Sequence, residues 1–420
     1  MQTNRLRFAY LLAGVLTVSA CSADGTNSET ENGETELSFW VYGANYEALI
    51  EEYEREHGDI SIDLVRRDKD DHQLGLFTAL SAGSGAPDIA ALDWNELETY
   101  LDARHQFVDL RTFGADEKAD DFLDWAFQAG TPSDSDSLIG LPTTVSPTVM
   151  HYNADLFSEA GLPSDPEEVE QALQSWAQFE DAALQLLEET GSAMAGNPDV
   201  IYHAKRDQLE KAYFNEEGEL LIGSEPYIES IFMDTADLMD EDVILLHDRD
   251  SDSWREALRN EAFAVILGDR KMSDNLTEDA PDMNNWRMAQ IPEGAGNHGG
   301  TWLSIPEQSN HAEEAYRFIE WLTSPEQLLR MYEEEGQFPP APAVYEDERF
   351  SVVTDPYFGG QATGPVFAEA AINANLHYRG RNYNSVDEEI LIGLDDVYLG
   401  ASPEEEWAAI LERVNRRIER

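Results

Sequence analysis

Three observations predict an α/β fold in two domains. Short runs of β-branched and aromatic residues alternate with amphipathic helical segments, which implies mainly parallel sheets with right-handed crossovers. At 420 residues the chain is too long for one ordinary core. A hydrophobic content of 42% is enough to fold it.

The first segment is an address. Arg5 and Arg7 precede an apolar run over 8–18, too short for a membrane-spanning helix of ~20 residues, so it reads as an export signal. The run ends Val18-Ser19-Ala20-Cys21, similar to the bacterial lipoprotein signal box, which implies cleavage and lipidation at Cys21. Cys21 is the only cysteine, so it has no intramolecular disulfide partner. Without a twin-arginine pair, the general secretion route is the expected one. Residues 22–36 are polar and acidic with no large apolar side chain, a flexible tether. No later run is long and apolar enough to cross a bilayer.

The body opens with a strand over 37–42 and a break at Gly43. A helix follows from Asn45, with Leu49, Ile50 and Tyr53 on one face, and then an alternating strand, Ile60, Ile62 and Leu64. A helix over 73–82 ends at Gly83, and a strand over 89–92 delivers Asp93 and Trp94. In parallel sheets ligands bind beyond the carboxyl ends of strands, where Tyr42, Asn45, Asp93 and Trp94 stand. Gly83-x-Gly85 lacks a third glycine and follows a helix, so it is turn chemistry rather than a nucleotide loop. A second unit begins near 140–144, with a strand over 148–152 and a helix over 155–160. One long helix is expected over 167–189, a loop over 190–199, and a helix over 202–214. Ile228, Ile231, Phe232 and Ala236 mark another helix. A strand over 263–267 ends in Gly268-Asp269-Arg270, and a short strand covers 288–292. In residues 299–327 a glycine pair leads into a strand over 301–305, and the next helix buries Ala315, Phe318, Ile319 and Leu322. Helices over 387–399 and 403–418 close the chain. Trp302, two residues after the glycines, has two readings: an ordinary core aromatic, or a side chain facing ligand.

Charge narrows the partners. Against 27 Lys plus Arg stand 85 Asp plus Glu, a net charge of −58, which excludes nucleic acid because no basic stripe exists to release phosphate counterions. The acids are spread through segments that also carry apolar periodicity, the pattern of a solvated acidic surface. Only five lysines occur, Lys69, Lys118, Lys205, Lys211 and Lys271. This composition fits high salt, where the screening length falls to about 3 Å at 1 M.

The order and spacing of several motifs carry a resemblance over residues 36–420. They are FWVYGANYEALIEEYEREHGDI, SAGSGAPDIAALD, GLPTTVSPTVMHYNADLFSEAGL, NEAFAVILGD, TWLSIPEQSNHAEEAYRFIEWLTSPE, GQFPPAPAVYED and LGASPEEEWAAILERVNRRIE. Together with the lipoprotein signal they resemble the extracellular solute-binding proteins of sugar-type ABC importers, the group that includes maltose-binding protein. The resemblance implies a two-lobed periplasmic-binding-protein fold with discontinuous lobes and a hinge. Lobe 1 would comprise 37–145 plus 304–375, and lobe 2 would comprise 146–303 plus 376–420. It also implies a monomer that binds a soluble ligand, a sugar in the first instance, needs no cofactor or metal, and docks on permease subunits from its lipid anchor at the cell membrane.

Carried over by position, the cleft contacts would be Tyr42, Asn45, Asp93, Trp94, Ser146, Tyr152, Arg270 after Gly268, Trp302, and the segment with Tyr378, Arg379, Arg381 and Tyr383. Where many members have glycine-tryptophan, this chain has Gly268-Asp269-Arg270, charge in place of a stacking ring. Aromatic faces suit sugar rings, and carboxylates, amides and guanidinium groups suit their hydroxyls. The positive islands at Arg270-Lys271 and 377–381 either neutralise nearby acids or bind a carboxylate or phosphate. A uronic acid and a phosphorylated ligand both fit the second possibility. On this reading Trp302→Ala weakens binding and spares the fold.

A secreted carbohydrate-active hydrolase and the ligand-binding component of a sensor are the alternatives. So many carboxylates give some pair at glycosidase spacing by composition alone. There is no His-Glu-x-x-His, no Gly-x-Ser-x-Gly and no catalytic cysteine. Asp248-x-Asp250-x-Asp252 begins like a calcium loop, but Ser253 and Arg259 replace its glycine and its final glutamate. Dialysis of the protein into low salt is expected to abolish its near-UV circular dichroism, whereas an unchanged melting temperature there contradicts the salt reading.

Overall fold

The structure, a computed structural model, describes residues 35–249, 251–376 and 378–418. The expected export signal, Cys21, the tether up to residue 34, and position 377 within the second positive island lie outside the described residues. Five strands form the first sheet: β1 (Thr35–Tyr42), β2 (Ile60–Arg67), β3 (Ile89–Asp93), β4 (Leu141–Pro147) and β9 (Asn297–Ser304), in the order β2-β1-β3-β9-β4. The second contains β5 (Val149–Asn153), β6 (Ala193–Ala195), β7 (Phe263–Gly268) and β8 (Trp286–Ala289), in the order β6-β7-β5-β8. Each sheet is sandwiched by helices, and the two sheets define two lobes.

The expectation of mainly parallel sheets fails. β1 pairs with β2 and β3, and β6 with β7, in parallel, but β3·β9, β4·β9, β5·β7 and β5·β8 are antiparallel. The reason is connectivity. Strands next to a crossing arrive from the other lobe, so no helix folds them back in the same direction. The lobe boundaries also move. Only Thr148 separates β4 in the first sheet from β5 in the second. β9 pairs with β3 and β4, so the return crossing lies between Ala289 and Asn297, ahead of the expected 303/304. The last crossing runs through residues 361–374, which touch both lobes: the Trp125 indole N–H of lobe 1 donates to the Ala371 carbonyl (2.9 Å), while β8 of lobe 2 is met by Gln361. Its side chain accepts from the Met288 N–H (2.9 Å) and donates to the Met288 carbonyl (2.8 Å), closing the edge of β8.

Other local departures have plain causes. The expected helix over 167–189 breaks into Pro166–Ala172 and Trp176–Thr190, because Ser175 forms a reciprocal capping box with Gln178. The expected loop over 190–199 contains β6, whose small buried residues pair with β7. The helix expected over 202–214 is Pro198–Asp207, capped by Asn197. β9 begins at Asn297 rather than 301, and its glycines permit a close approach. A Cβ on Gly300 would stand 2.6 Å from the Thr144 carbonyl oxygen.

The second sheet buries an ionisable group on its inner face. His151 has no exposed surface; its Nδ1–H faces the Ile266 carbonyl (3.3 Å), and Nε2 accepts from the Ser273 hydroxyl (2.8 Å). Burial pushes its pKa down to about 4. The folded value lies below the ordinary one near 6.5, so the unfolded chain binds the proton first. His151 therefore costs nothing above that pH and destabilises the fold as pH falls from there towards 4. Replacing it with asparagine is expected to flatten that part of the melting-temperature profile, measured against wild type in the same salt; parallel profiles contradict the assignment.

Candidate ligand-binding cleft between the lobes

β1 and β3 end side by side, and their last residues meet. The Tyr42 hydroxyl donates to Asp93 Oδ2 (2.9 Å) and lies 3.0 Å from Thr301 Oγ1 on β9. Burial, then the charge of Asp93, push the phenol well upward, so it stays protonated and remains the donor. Asp93 also receives Lys69 Nζ (2.9 Å), and its Oδ1 accepts from the Asn95 N–H (2.9 Å), which turns the chain into a short helix. That turn delivers Trp94, Asn95 and Glu96 to the facing lobe.

From lobe 2 the segment 378–384 meets them. Arg379 Nη2 donates to Asn95 Oδ1 (2.9 Å), Asn384 Nδ2 to Glu96 Oε1 (2.8 Å), and Arg381 Nε to Asp102 Oδ2 (2.8 Å). The Arg379 guanidinium lies 3.7 Å from the Tyr383 ring centre and 5.5 Å from that of Trp94. Trp94 stacks on Trp302 (5.3 Å between centres, 22° between planes). Beneath Tyr383, Arg206 is enclosed by Asp207 and Asp387. Burial works against charge on both Arg206 and Asp387, but mutual attraction prevails and holds the arginine well above, and the aspartate well below, its ordinary range. His203 and His298 continue this wall. Nδ1 of His298 stands 3.3 Å from Asp207 Oδ2, and burial lowers His203 to about 4.

Two hollows open here. One of about 300 Å³ is lined from both lobes by Glu98, Leu101 and Thr131 against Glu210, Lys211 and Tyr378. The other, about 670 Å³, is lined by Asn197, Asp199, His203, Asp248 and Arg249 of lobe 2 together with His298 of β9.

The structure thus brings Tyr42, Asp93, Trp94, Trp302, Arg379 and Tyr383 into one connected set, with Tyr378 and Arg381 at its margin. Trp302 belongs to it from beneath: it has no exposed surface, and its indole N–H donates to the Ala126 carbonyl (2.9 Å). Asn45 stands at the start of the first helix, accepting from the Glu47 N–H (3.2 Å). Ser146 sits at the first crossing, its N–H on Asn297 Oδ1 (2.8 Å). Tyr152 is elsewhere, fully buried in lobe 2 with its hydroxyl on the Ser164 carbonyl (2.9 Å). Arg270 also lies apart, paired with Asp274 one helical turn on. Lys69, Asn95, Glu96, Asn384 and the Arg206–Asp387 pair are absent from the sequence-derived set. Lys69 carried a signal, as a rare lysine beside the predicted strand ends; the others sit in ordinary polar or helical contexts.

A family model described as bacterial extracellular solute-binding protein matches residues 48–357, a span that includes strands from both sheets and both first crossings. The chain belongs to this family. Its members are binding proteins rather than enzymes. A crystal structure of an extracellular solute-binding protein of family 1 is similar at 29% identity and TM-score 0.87, covering 91% of this chain and 99% of that one. The sugar-binding protein MalE of Xanthomonas citri shares the fold at 18% identity and TM-score 0.76, over 91% of this chain and 97% of that one. An arabinooligosaccharide-binding protein of Bacillus subtilis (strain 168) is 24% identical over 324 residues, 72% of each chain. This solute-binding protein therefore has the two-lobed periplasmic-binding-protein architecture, with the connected residue set between its lobes. Among the described residues, no helix is long and apolar enough to cross a membrane.

Burial changes the expectation for Trp302. Trp302→Ala removes a core ring and strands the Ala126 carbonyl, and should cost about 3–5 kcal/mol of stability. A denaturant midpoint within error of wild type would return Trp302 to the ligand-facing reading.

Proposed function

We propose that this protein captures a sugar or oligosaccharide between its lobes and delivers it to the permease of an ABC importer, held at the outer face of the cell membrane by a lipid on Cys21. The observation that carries the reading is the meeting, between two lobes of a solute-binding protein, of aromatic rings with hydroxyl-binding groups. Trp94 and Tyr383 supply the rings. Asp93, Asn95, Glu96 and Asn384 supply acceptors and donors from both sides, the combination that sugar faces and edges require. The Bacillus subtilis relative that binds arabinooligosaccharides and the sugar-binding structural relatives support the same class. The lipoprotein-like box supports the anchor, and the net charge of −58 supports a working environment of high salt. Residues on both lobes have to part for a ligand to enter, so closure on ligand is the working step.

A thermal-shift panel of neutral and acidic oligosaccharides in molar salt tests the reading. A true ligand at one hundred times its Kd stabilises by about 2.7 kcal/mol, read as a rise in melting temperature. If no sugar of the panel shifts the transition while the protein is folded, the sugar assignment fails. For the anchor, wild type is expected in the membrane fraction and Cys21→Ala in the soluble fraction; equal partitioning excludes lipidation.

A further inference from the structure

The contact between the lobes leaves one charge unbalanced. The buried cations among the described residues are Lys205, Arg206 and Arg379. Lys205 lies 3.1 Å from Glu180, and Arg206 sits against Asp207 and Asp387. Arg379 is 4% exposed and makes no ion pair; Asn95 takes Nη2, while Nε and Nη1 have neither a hydrogen-bond partner nor solvent. The indole N–H of Trp94, whose ring faces this guanidinium, is also buried without an acceptor. The rings of Trp94 and Tyr383 cover the faces of the guanidinium but offer its in-plane N–H groups no oxygen. Burying a cation in this way is costly unless some state of the protein supplies the missing acceptors.

We propose that the missing partner is a carboxylate of the ligand, received by Arg379 together with the Trp94 N–H, so that the cleft takes an acidic sugar: a uronic acid or an oligosaccharide containing one. The proposal rests on the sugar-binding reading above and narrows it. A neutral hydroxyl satisfies an N–H but leaves the charge, whereas a carboxylate does both, and charge-assisted bonds are about twice as strong as neutral ones. Nε and Nη1 point in different directions, so one carboxylate oxygen serves Nη1 and a ring hydroxyl of the same sugar serves Nε.

The surroundings admit one negative charge. Lys69 pairs with Asp93 (2.9 Å) and Arg381 with Asp102 (2.8 Å). The Glu96 carboxylate accepts from Asn384, and burial raises it. Glu98 is pushed up to about 7 by burial and by Asp102, against the opposing pull of Arg379, whose backbone N–H and charge both favour the carboxylate. Glu98, raised in this way, answers the Arg379 charge only in part, so one ligand carboxylate completes it and a dianionic phosphate would exceed it. The hollow of about 300 Å³ beside Tyr378, next in sequence to Arg379, has the size of a small-molecule pocket; its lining carries Glu98, Glu210 and Glu216 and one cation, Lys211, which is paired with Glu216 (3.1 Å). The unpaired guanidinium penalises closure without ligand, and an arriving carboxylate removes the penalty. Closure and acidic-sugar binding are thus linked.

Titration calorimetry of the full chain in molar KCl, with a galactose trimer bearing a single galacturonate, its methyl ester, the galactose trimer of the same linkage and arabinotriose, tests this. The monoacidic trimer is expected to bind about tenfold or more tighter than its ester and the neutral trimers, and Arg379→Gln to abolish that preference. Equal or tighter binding of the neutral sugars overturns the acidic-ligand inference and leaves the sugar-binding function standing. Binding of none of the four while a wider neutral panel raises the melting temperature does the same. Failure of every sugar, acidic and neutral, removes the function itself. If Arg379→Gln does not fold, the ester comparison on wild type decides, since it neutralises the ligand and leaves the protein intact.

Discussion

The stack of Trp302, Trp94, Arg379 and Tyr383 is the interaction on which the relation between the lobes depends. Trp302 is fixed by its hydrogen bond to the Ala126 carbonyl, and β9 approaches β4 closely because Gly300 carries no Cβ. Trp94 lies on Trp302, and so the first lobe presents a rigid aromatic face rather than a mobile one. Arg379 and Tyr383 are then held against it from the start of a lobe 2 helix. A planar cation between two rings is well covered and poorly hydrogen-bonded. That imbalance gives the site its chemical character.

Electrostatics divide the molecule into two regimes. Over the surface, acidic side chains far outnumber basic ones and their repulsion depends on salt. Inside, charges are few and almost all are matched. Arg206 is enclosed by Asp207 and Asp387, and Lys205 is next to Glu180. Buried ion pairs of this kind are screened little by salt and are a weak source of net stability, but removing one partner is severe. The Arg206 cluster is thus a fixed wall, with its valences taken up within the protein. Arg379, a few ångströms across the Tyr383 ring, has valences to spare.

Much of the fold was legible in the sequence because its signals are local. Alternation along 60–64 and the apolar stripe of 315–322 each reflect one buried face, the apolar run 263–267 reflects a strand buried throughout, and each element is found. β6 was not legible, because Ala193–Ala195 is too short and too small to alternate, and only its pairing with β7 makes it a strand. The lobe boundaries were misread at β9 for a similar reason. A strand's sheet is decided by its partners, which lie more than a hundred residues away. Of the site, Tyr42, Asp93 and Trp94 were found through a rule about strand ends, and Arg379 and Tyr383 through charge and aromatic context within a resemblance. Tyr152 was placed by position alone, and its side chain points into the lobe 2 core instead.

By itself the sequence determined the fold class, a strongly acidic composition and the set of aromatic and basic residues from which a cleft is drawn. These follow from periodicity, counts and short-range spacing, which a linear chain displays directly. Only the tertiary structure decided that Trp302 supports the cleft from below, that Arg206 is matched, and that Arg379 is not. A buried charge has a meaning only through the atoms around it, and Asn95, Tyr383 and Trp94 reach Arg379 from two lobes that the chain visits at separate times.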